Sequence, residues 1–231
     1  MKLYYDLHIH TCLSPCGDAD MPPNNIVNMA LLKGLDVIAI TDHNTCGNAG
    51  ACMACADGTG LLVIPGLEVE TAEEVHMVCL FPVLSSAQEM EKIVRAALPA
   101  IPNRVEIFGP QCYMDANDHI IAYEDNLLVT ATRLSCGEVV DTVRRLGGSV
   151  FPAHVDKDSY SMLSNLGAIP KELGFSSVEV HHMGKLERIR QQIAGYQVLH
   201  NSDAHYLWDI SEPVCIIEAE KKTVAAVLHV V

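Results

Sequence analysis

Residues 1–18 read MKLYYDLHIHTCLSPCGD and set His8 and His10 two apart at the end of an apolar run. Side chains of a strand alternate between its faces, so the two imidazoles share one face. A single histidine there is commonly a hydrogen-bonded core residue. Two on one face, beside Asp6 and shortly before Asp18, need something to hold.

Working outward, apolar runs and helical stretches alternate along the chain. Strands are expected at 3–9, 36–42 (DVIAITD), 61–71 (LLVIPGLEVET), 75–81 as the antiparallel or neighbouring partner of 61–71, 149–154 (SVFPAH), 175–182 (FSSVEVHH), 196–205 and 212–220. Helices are expected at 24–34, ended by Gly34, at 46–57, at 85–98 with Ser85 and Ser86 as caps, at 136–148, 161–167 and 185–194, and at the end of the chain. Pro99, Pro102 and the Gly109–Pro110 step make 99–132 a loop or short hairpin. Alternation of this kind implies an α/β fold with a largely parallel sheet. A closed or nearly closed barrel fits best, because polar residues gather at the C-terminal ends of many strands, where barrels build their sites. An open doubly wound sheet is the alternative, but no Gly-rich nucleotide loop supports it.

Those strand ends carry the chemistry. The first gives His8 and His10, with Asp18 in the following loop; AITDHN gives Asp42 and His43; PGLEVE gives Glu68, with Glu70 on the same face. EVH gives His76, PAH gives His154, and NSDAH gives Asp203 and His205. Imidazole nitrogen mixed with carboxylate oxygen suits Zn, Mn or Fe(II) better than Mg alone. One ion takes about four protein ligands, and the candidates exceed that, so two or three divalent ions are expected to share them. Without cations so many ionisable groups would be mutually unsatisfied.

In this order the motifs DLHIHT, ITDHN, GLEVE with EVH, PAH and NSDAH resemble those of the PHP (polymerase and histidinol phosphatase) superfamily along essentially the whole chain. The resemblance implies one domain over 1–231, a distorted seven-stranded (β/α) TIM-like barrel with a metal cluster at the C-terminal face of its strands. It assigns His8, His10, Glu68 and Asp203 to a first metal, Asp18, His43 and His205 to a second, and Glu68, His76 and His154 to a third, with His8, His10, Glu68, Asp203 and His205 at the catalytic centre. The chain departs from the family's H-x-H-T-x-x-S-D-G: in HTCLSPCGD, a Pro-Cys-Gly insertion displaces the acidic residue to Asp18. Asp18 is therefore the least secure ligand. Cys12 and Cys16 are read as packing thiols near the site, with one of them approaching the metals in place of Asp18 as the alternative; Cys52 and Cys55 of the CxxC in AGACMACA are read as packing thiols, with a ligand or redox role as the alternative. Asp42 is expected to orient a ligand rather than to be one.

Clustered divalent ions are suited to phosphate-ester hydrolysis, and known PHP proteins hydrolyse phosphomonoesters or act as phosphodiesterases and 5′→3′ exonucleases. Lys157, Arg133, Lys185 and one of His181 and His182, taken as His182, are candidate phosphate or substrate contacts. The 15 basic and 29 acidic residues give a formal net charge of −14, which opposes a long polyanion and favours a small phosphorylated metabolite or nucleotide. A phosphodiesterase or exonuclease on short oligonucleotides, a hydrolase of another bond, and a non-catalytic metal-binding or regulatory protein are the alternatives. The nine cysteines are odd in number and scattered, and no basic region with a long apolar run opens the chain. The expectation is a reduced, cytoplasmic setting without membrane attachment.

Overall fold

The structure, a computed structural model, describes residues 1–231. Its strands are β1 (Lys2–Ile9), β2 (Val37–Ile40), β3 (Leu62–Glu70), β4 (His76–Leu80), β5 (Cys112–Met114), β6 (Ile120–Tyr123), β7 (Ser149–Pro152), β8 (Ser177–Glu179), β9 (Gln197–Leu199) and β10 (Ile216–Glu218). The helices are α1 (Pro23–Lys33), α2 (Ala49–Cys55), α3 (Leu84–Ala97), α4 (Val105–Phe108), α5 (Cys136–Arg145), α6 (Met162–Asn165), α7 (Leu186–Ile189) and α8 (Val224–Leu228). No helix is long and apolar enough to cross a membrane.

Six strands form one sheet in the order β10-β1-β2-β3-β4-β7, and β8 pairs with β9. Two contacts carry the curl around: the Val155 amide donates to the Glu179 carbonyl, and the His10 amide donates to the carbonyl of Ala204, beyond β9. The result is the expected mixed α/β fold, with its sheet curled into a half-barrel.

The sheet is not largely parallel. β1–β2, β2–β3 and β8–β9 are parallel, but β3–β4, β4–β7 and β1–β10 are antiparallel. The reason is length: only residues 71–75 join β3 to β4, too few for a crossover, so the two strands form a hairpin. α3 also starts one residue earlier than expected, after Val83, and no serine side chain caps it. α5, by contrast, opens on a Ser135–Glu138 capping box, and α1 stops at Gly34, whose φ of 76° suits glycine. Within 99–132 the breakers leave a hairpin, β5–β6, and the single turn of α4.

Packing explains where the site sits. Leu3, Tyr5, Leu7, Val37, Ala39, Ile64, Val78, Leu80, Phe151 and Leu199 form a closed apolar cluster inside the curl. In β3, Glu68 lies four residues beyond Ile64 on that inner face, and in β4, His76 precedes Val78 and Leu80 on it. β1 changes phase: its register shifts between Asp6 and Ile9, so the inward residues run Leu3, Tyr5, Leu7 and then His8 and His10, while Ile9 joins the outer core. The polar cluster thus caps an apolar plug.

Candidate metal centre

Glu68 is the centre of the cluster, fully buried at the end of β3. Its carboxylate lies 3.3 Å from His8 Nε2, 3.5 Å from His10 Nε2, 2.9 Å from His43 Nδ1, 3.0 Å from His76 Nδ1 and 3.3 Å from His154 Nε2. Asp203 faces it from the chain after β9, 3.3 Å from His8 Nε2 and 3.2 Å from His10 Nε2. Three sets of donor atoms converge to within 4.8 Å: His8, His10, Glu68 and Asp203; His10, His43 and His205; and His43, Glu68 and His76.

This donor set fits divalent cations. Both Glu68 oxygens, His43 Nδ1, His76 Nε2 and His154 Nδ1 are buried without a hydrogen-bond partner. Buried polar atoms are normally paired, and His43 Nδ1 stands 2.9 Å from a Glu68 oxygen without hydrogen-bond geometry, so a cation between them would satisfy both. The charges agree. Burial raises the Glu68 and Asp203 carboxyls, but the surrounding imidazoles hold both well below their ordinary values. His10 is pushed down by burial and by its neighbours His205 and His43, which keeps its ring a neutral donor.

Backbone strain gathers here too. His154 and Asp203 adopt positive φ, 29° and 52°, as does Asn44 beside His43. Left-handed backbone is rare in non-glycine residues and clusters at functional sites.

The supporting residues are buried carboxylates and amides. Asp42 accepts from the Thr11 amide and hydroxyl and from Ser14 Oγ, which lies 3.0 Å from His10 Nδ1, so Asp42 reaches His10 through Ser14. Glu179 was not anticipated from the sequence. It contacts His8 Nδ1 at 3.0 Å, accepts from the His154 amide at 2.9 Å and accepts from Asn201 Nδ2 at 2.7 Å. Burial raises its pKa, but the charge of His8 and the bond to it leave the net shift downward. A carboxylate behind a ligating histidine fixes its tautomer and strengthens it as a ligand.

Asp18 does not join the cluster. Its amide donates to the His205 carbonyl, and its carboxylate accepts from the Asp20 amide. Cys16 lies in the same loop, is exposed and joins no donor set. Cys12 packs against Met114 Sδ at 3.5 Å, and burial pushes it up to about 12. Cys52 is buried in α2, and Cys55 contacts the Ala116 carbonyl; neither joins a metal set.

A cavity of about 730 Å³ opens beside Asp203 and His205, lined also by Lys157, His181, Ser202 and Trp208. Lys157 pairs with Asp203 there. Of the two adjacent histidines, His181 lines this cavity and His182 is exposed outside it. Lys185 donates to the Asp156 carbonyl and lines a neighbouring cavity of about 260 Å³ with Lys157. Arg133 donates to the Ala96 carbonyl at the end of α3 and lines neither cavity. The positions of His181 and His182 follow from the end of β8 at Glu179, three residues before His182.

Comparison with known proteins agrees with this architecture. The model of the PHP domain family matches residues 6–146. A 5′-3′ exoribonuclease of Haemophilus influenzae is 29% identical over 103 residues, 41% of this chain and 36% of that protein. An uncharacterised protein of Methanocaldococcus jannaschii is 38% identical over 76 residues, 29% of this chain and 44% of that protein. The chain thus matches less than half the length of either. Among solved structures, the lesion-specific endonuclease Q of Pyrococcus furiosus superposes with a TM-score of 0.72 at 18% identity, over 98% of this chain and 55% of that one. A proposed metal-dependent phosphoesterase of Bifidobacterium adolescentis gives 0.61 at 21% identity, over 87% of both chains.

Proposed function

The chain belongs to the PHP domain family, and from that premise we propose that it is a metal-dependent phosphatase of small phosphorylated molecules, nucleotides foremost. The observation that carries this reading is the union of the Glu68-centred donor cluster with a cavity whose wall holds Lys157. His8, His10, Glu68 and Asp203 would hold one ion, His43, Glu68, His76 and His154 another, and His10, His43 and His205 would contribute to a third. The chemistry such ions supply is an acidified water and neutralisation of phosphate charge.

The chain's own residues do the rest. Lys157 Nζ, paired with Asp203 at the cavity wall, offers a positive charge to a phosphate oxygen that enters beside the cluster. His181 is pushed down by burial and by Lys157, so at neutral pH it serves as a neutral hydrogen-bonding contact rather than a second cation. Glu179 and Ser14 hold the His8 and His10 rings in place from behind. Asp209 and Glu212 also line the cavity, and their charge disfavours a long polyanion.

A second reading, hydrolysis of short oligonucleotides, has its own support. Tyr206 and Trp208 are exposed and stacked, with ring centroids 5.0 Å apart and planes 14° from parallel, and Trp208 lines the same cavity. Exposed aromatic faces bind bases without regard to sequence. Turnover with added Mn²⁺ on p-nitrophenyl phosphate, bis-p-nitrophenyl phosphate, a panel of nucleoside monophosphates and bisphosphates, and a short RNA separates the two. Release of phosphate from the monoesters supports the first reading. Cleavage of the diester and the RNA alone replaces it with the second, and no turnover by metal-loaded protein on any of them overturns both.

A further inference from the structure

His76 reaches Glu68 from a different direction than its neighbours. His8, His10, His43 and His154 stand at the C-terminal ends of β1, β2 and β7 or just past them, but His76 opens β4, in register opposite Glu70 of β3. Its Nδ1 lies 3.0 Å from Glu68. Its Nε2 is buried without a hydrogen-bond partner, and Glu70 Oε2 stands 3.8 Å from it. Residues directly opposite in an antiparallel pair are close side-chain neighbours, so the register itself brings this carboxylate to the back of the ring. Glu70 is buried as well. A neutral imidazole has one N–H and one lone pair, and a proton on Nε2 serves Glu70 while leaving Nδ1 free to ligate.

Tyr160 covers the face of the same ring. Its own ring stacks on His76, with centroids 4.9 Å apart and planes 22° from parallel. Its carbonyl accepts the His76 amide at 3.0 Å, so one residue holds both the backbone and the side chain of His76. Tyr160 adopts a φ of 54°, an outlier for a bulky residue, and such backbone persists only where surrounding contacts impose it. Core packing does not supply those contacts. Tyr160 is 46% exposed and belongs to neither apolar cluster, while the His76 it covers is only 6% exposed.

We propose that Glu70 and Tyr160 are positioning residues for His76. Together they fix its ring so that Nδ1 faces the donor set of His43, Glu68 and His76 while Nε2 keeps its proton for Glu70. Both act through His76 rather than on a metal or a substrate. The consequence is selective: removing either loosens the ion held by His43, Glu68 and His76 and spares the one held by His8, His10, Glu68 and Asp203. The proposal rests on the reading that divalent ions occupy the cluster, and the experiment keeps the two apart.

Zinc binding to wild type, Glu70→Gln, Tyr160→Leu and Tyr160→Phe is titrated against a competing chelator. Long-range ¹H–¹⁵N spectra of the zinc-loaded chains report which ring nitrogen binds zinc and which carries the proton, the His76 signals being those absent from His76→Asn. Wild-type His76 should hold zinc at Nδ1 and a proton at Nε2. Glu70→Gln and Tyr160→Leu should each weaken one zinc ion by about 10- to 100-fold and leave the tighter zinc in place. Tyr160→Phe keeps the stacked ring and should match wild type, and circular dichroism should stay native in all three. Zinc on His76 Nε2, wild-type affinity in Glu70→Gln or Tyr160→Leu, or a Tyr160→Phe as weak as Tyr160→Leu overturns the proposal. A wild-type chain that binds no zinc overturns the metal reading itself.

Discussion

Glu179 approaches His8 Nδ1 at 3.0 Å with one carboxylate oxygen, while the other accepts the amide of His154. One buried side chain from β8 therefore sets the ring orientation of a β1 histidine and the backbone position of the residue that follows β7. It ties together the two parts of the curl that no ladder joins.

From that relationship, Glu179→Gln should weaken metal binding by about 10- to 100-fold, the range typical of losing a carboxylate behind a ligating histidine. The glutamine keeps an acceptor for the His154 amide, so circular dichroism should stay native. Zinc titration against a competing chelator measures the effect, and an unchanged affinity would remove Glu179 from the metal centre.

Removing the metals should lower stability, because ions that bind only the folded chain stabilise it. At a free concentration of about 100 times Kd, one ion contributes about 2.7 kcal/mol. For a chain of this size the corresponding fall in Tm is roughly 5–10 °C. Thermal melts with and without EDTA test it; coincident melts of metal-loaded and chelated protein would contradict the cluster as a metal site.

Trp208→Ala separates base recognition from phosphate chemistry. Loss of one stacking face costs about 1–3 kcal/mol, so KM for nucleotides should rise roughly 5- to 150-fold. Turnover of p-nitrophenyl phosphate should be unchanged. Equal effects on both substrates would show that the Tyr206–Trp208 pair recognises no base.

The hairpin β5–β6 is held by Glu124, which pairs with Arg95 at 2.7 Å and accepts from Tyr113 Oη at 2.8 Å and the Asn126 amide at 3.0 Å. Burial raises its carboxyl, but the bonds from Arg95 and Asn126 leave the net shift downward from 4.5. A lowered folded value means that the contribution is fully present above 4.5 and disappears as the pH falls through that folded value. Glu124→Gln should cost about 1 kcal/mol at pH 7, and this difference from wild type should shrink below pH 4.5. Urea denaturation at both pH values decides it, and a difference independent of pH would exclude the ion pair as its source.

Five ligand candidates were legible because they obey a short rule: strand, then polar residue at its end. His8, His10, His43, Glu68 and His154 follow that rule, His76 instead opens the antiparallel strand β4, and all six line the cluster. Asp203 and His205 were readable from the period-two spacing in NSDAH. The same rule failed where a strand's end was misjudged. β8 stops at Glu179 rather than running to His182, so the buried acid was passed over and the exposed histidine chosen. Asp18 failed for another reason: its place depends on how closely Gly17 packs against the Thr11 carbonyl, which no periodicity encodes. The hairpin β3–β4 was one of the two readings of 75–81, and its five-residue link favours it, although the alternation of elements pointed to a largely parallel sheet.

The left-handed backbone at His154 and Asp203 bears on how this protein can be engineered. Each such residue sacrifices roughly 1–2 kcal/mol that glycine would not, so a screen for heat resistance run on metal-free protein will favour glycine at both positions. Libraries meant to yield a tougher catalyst should hold those two codons constant and diversify elsewhere.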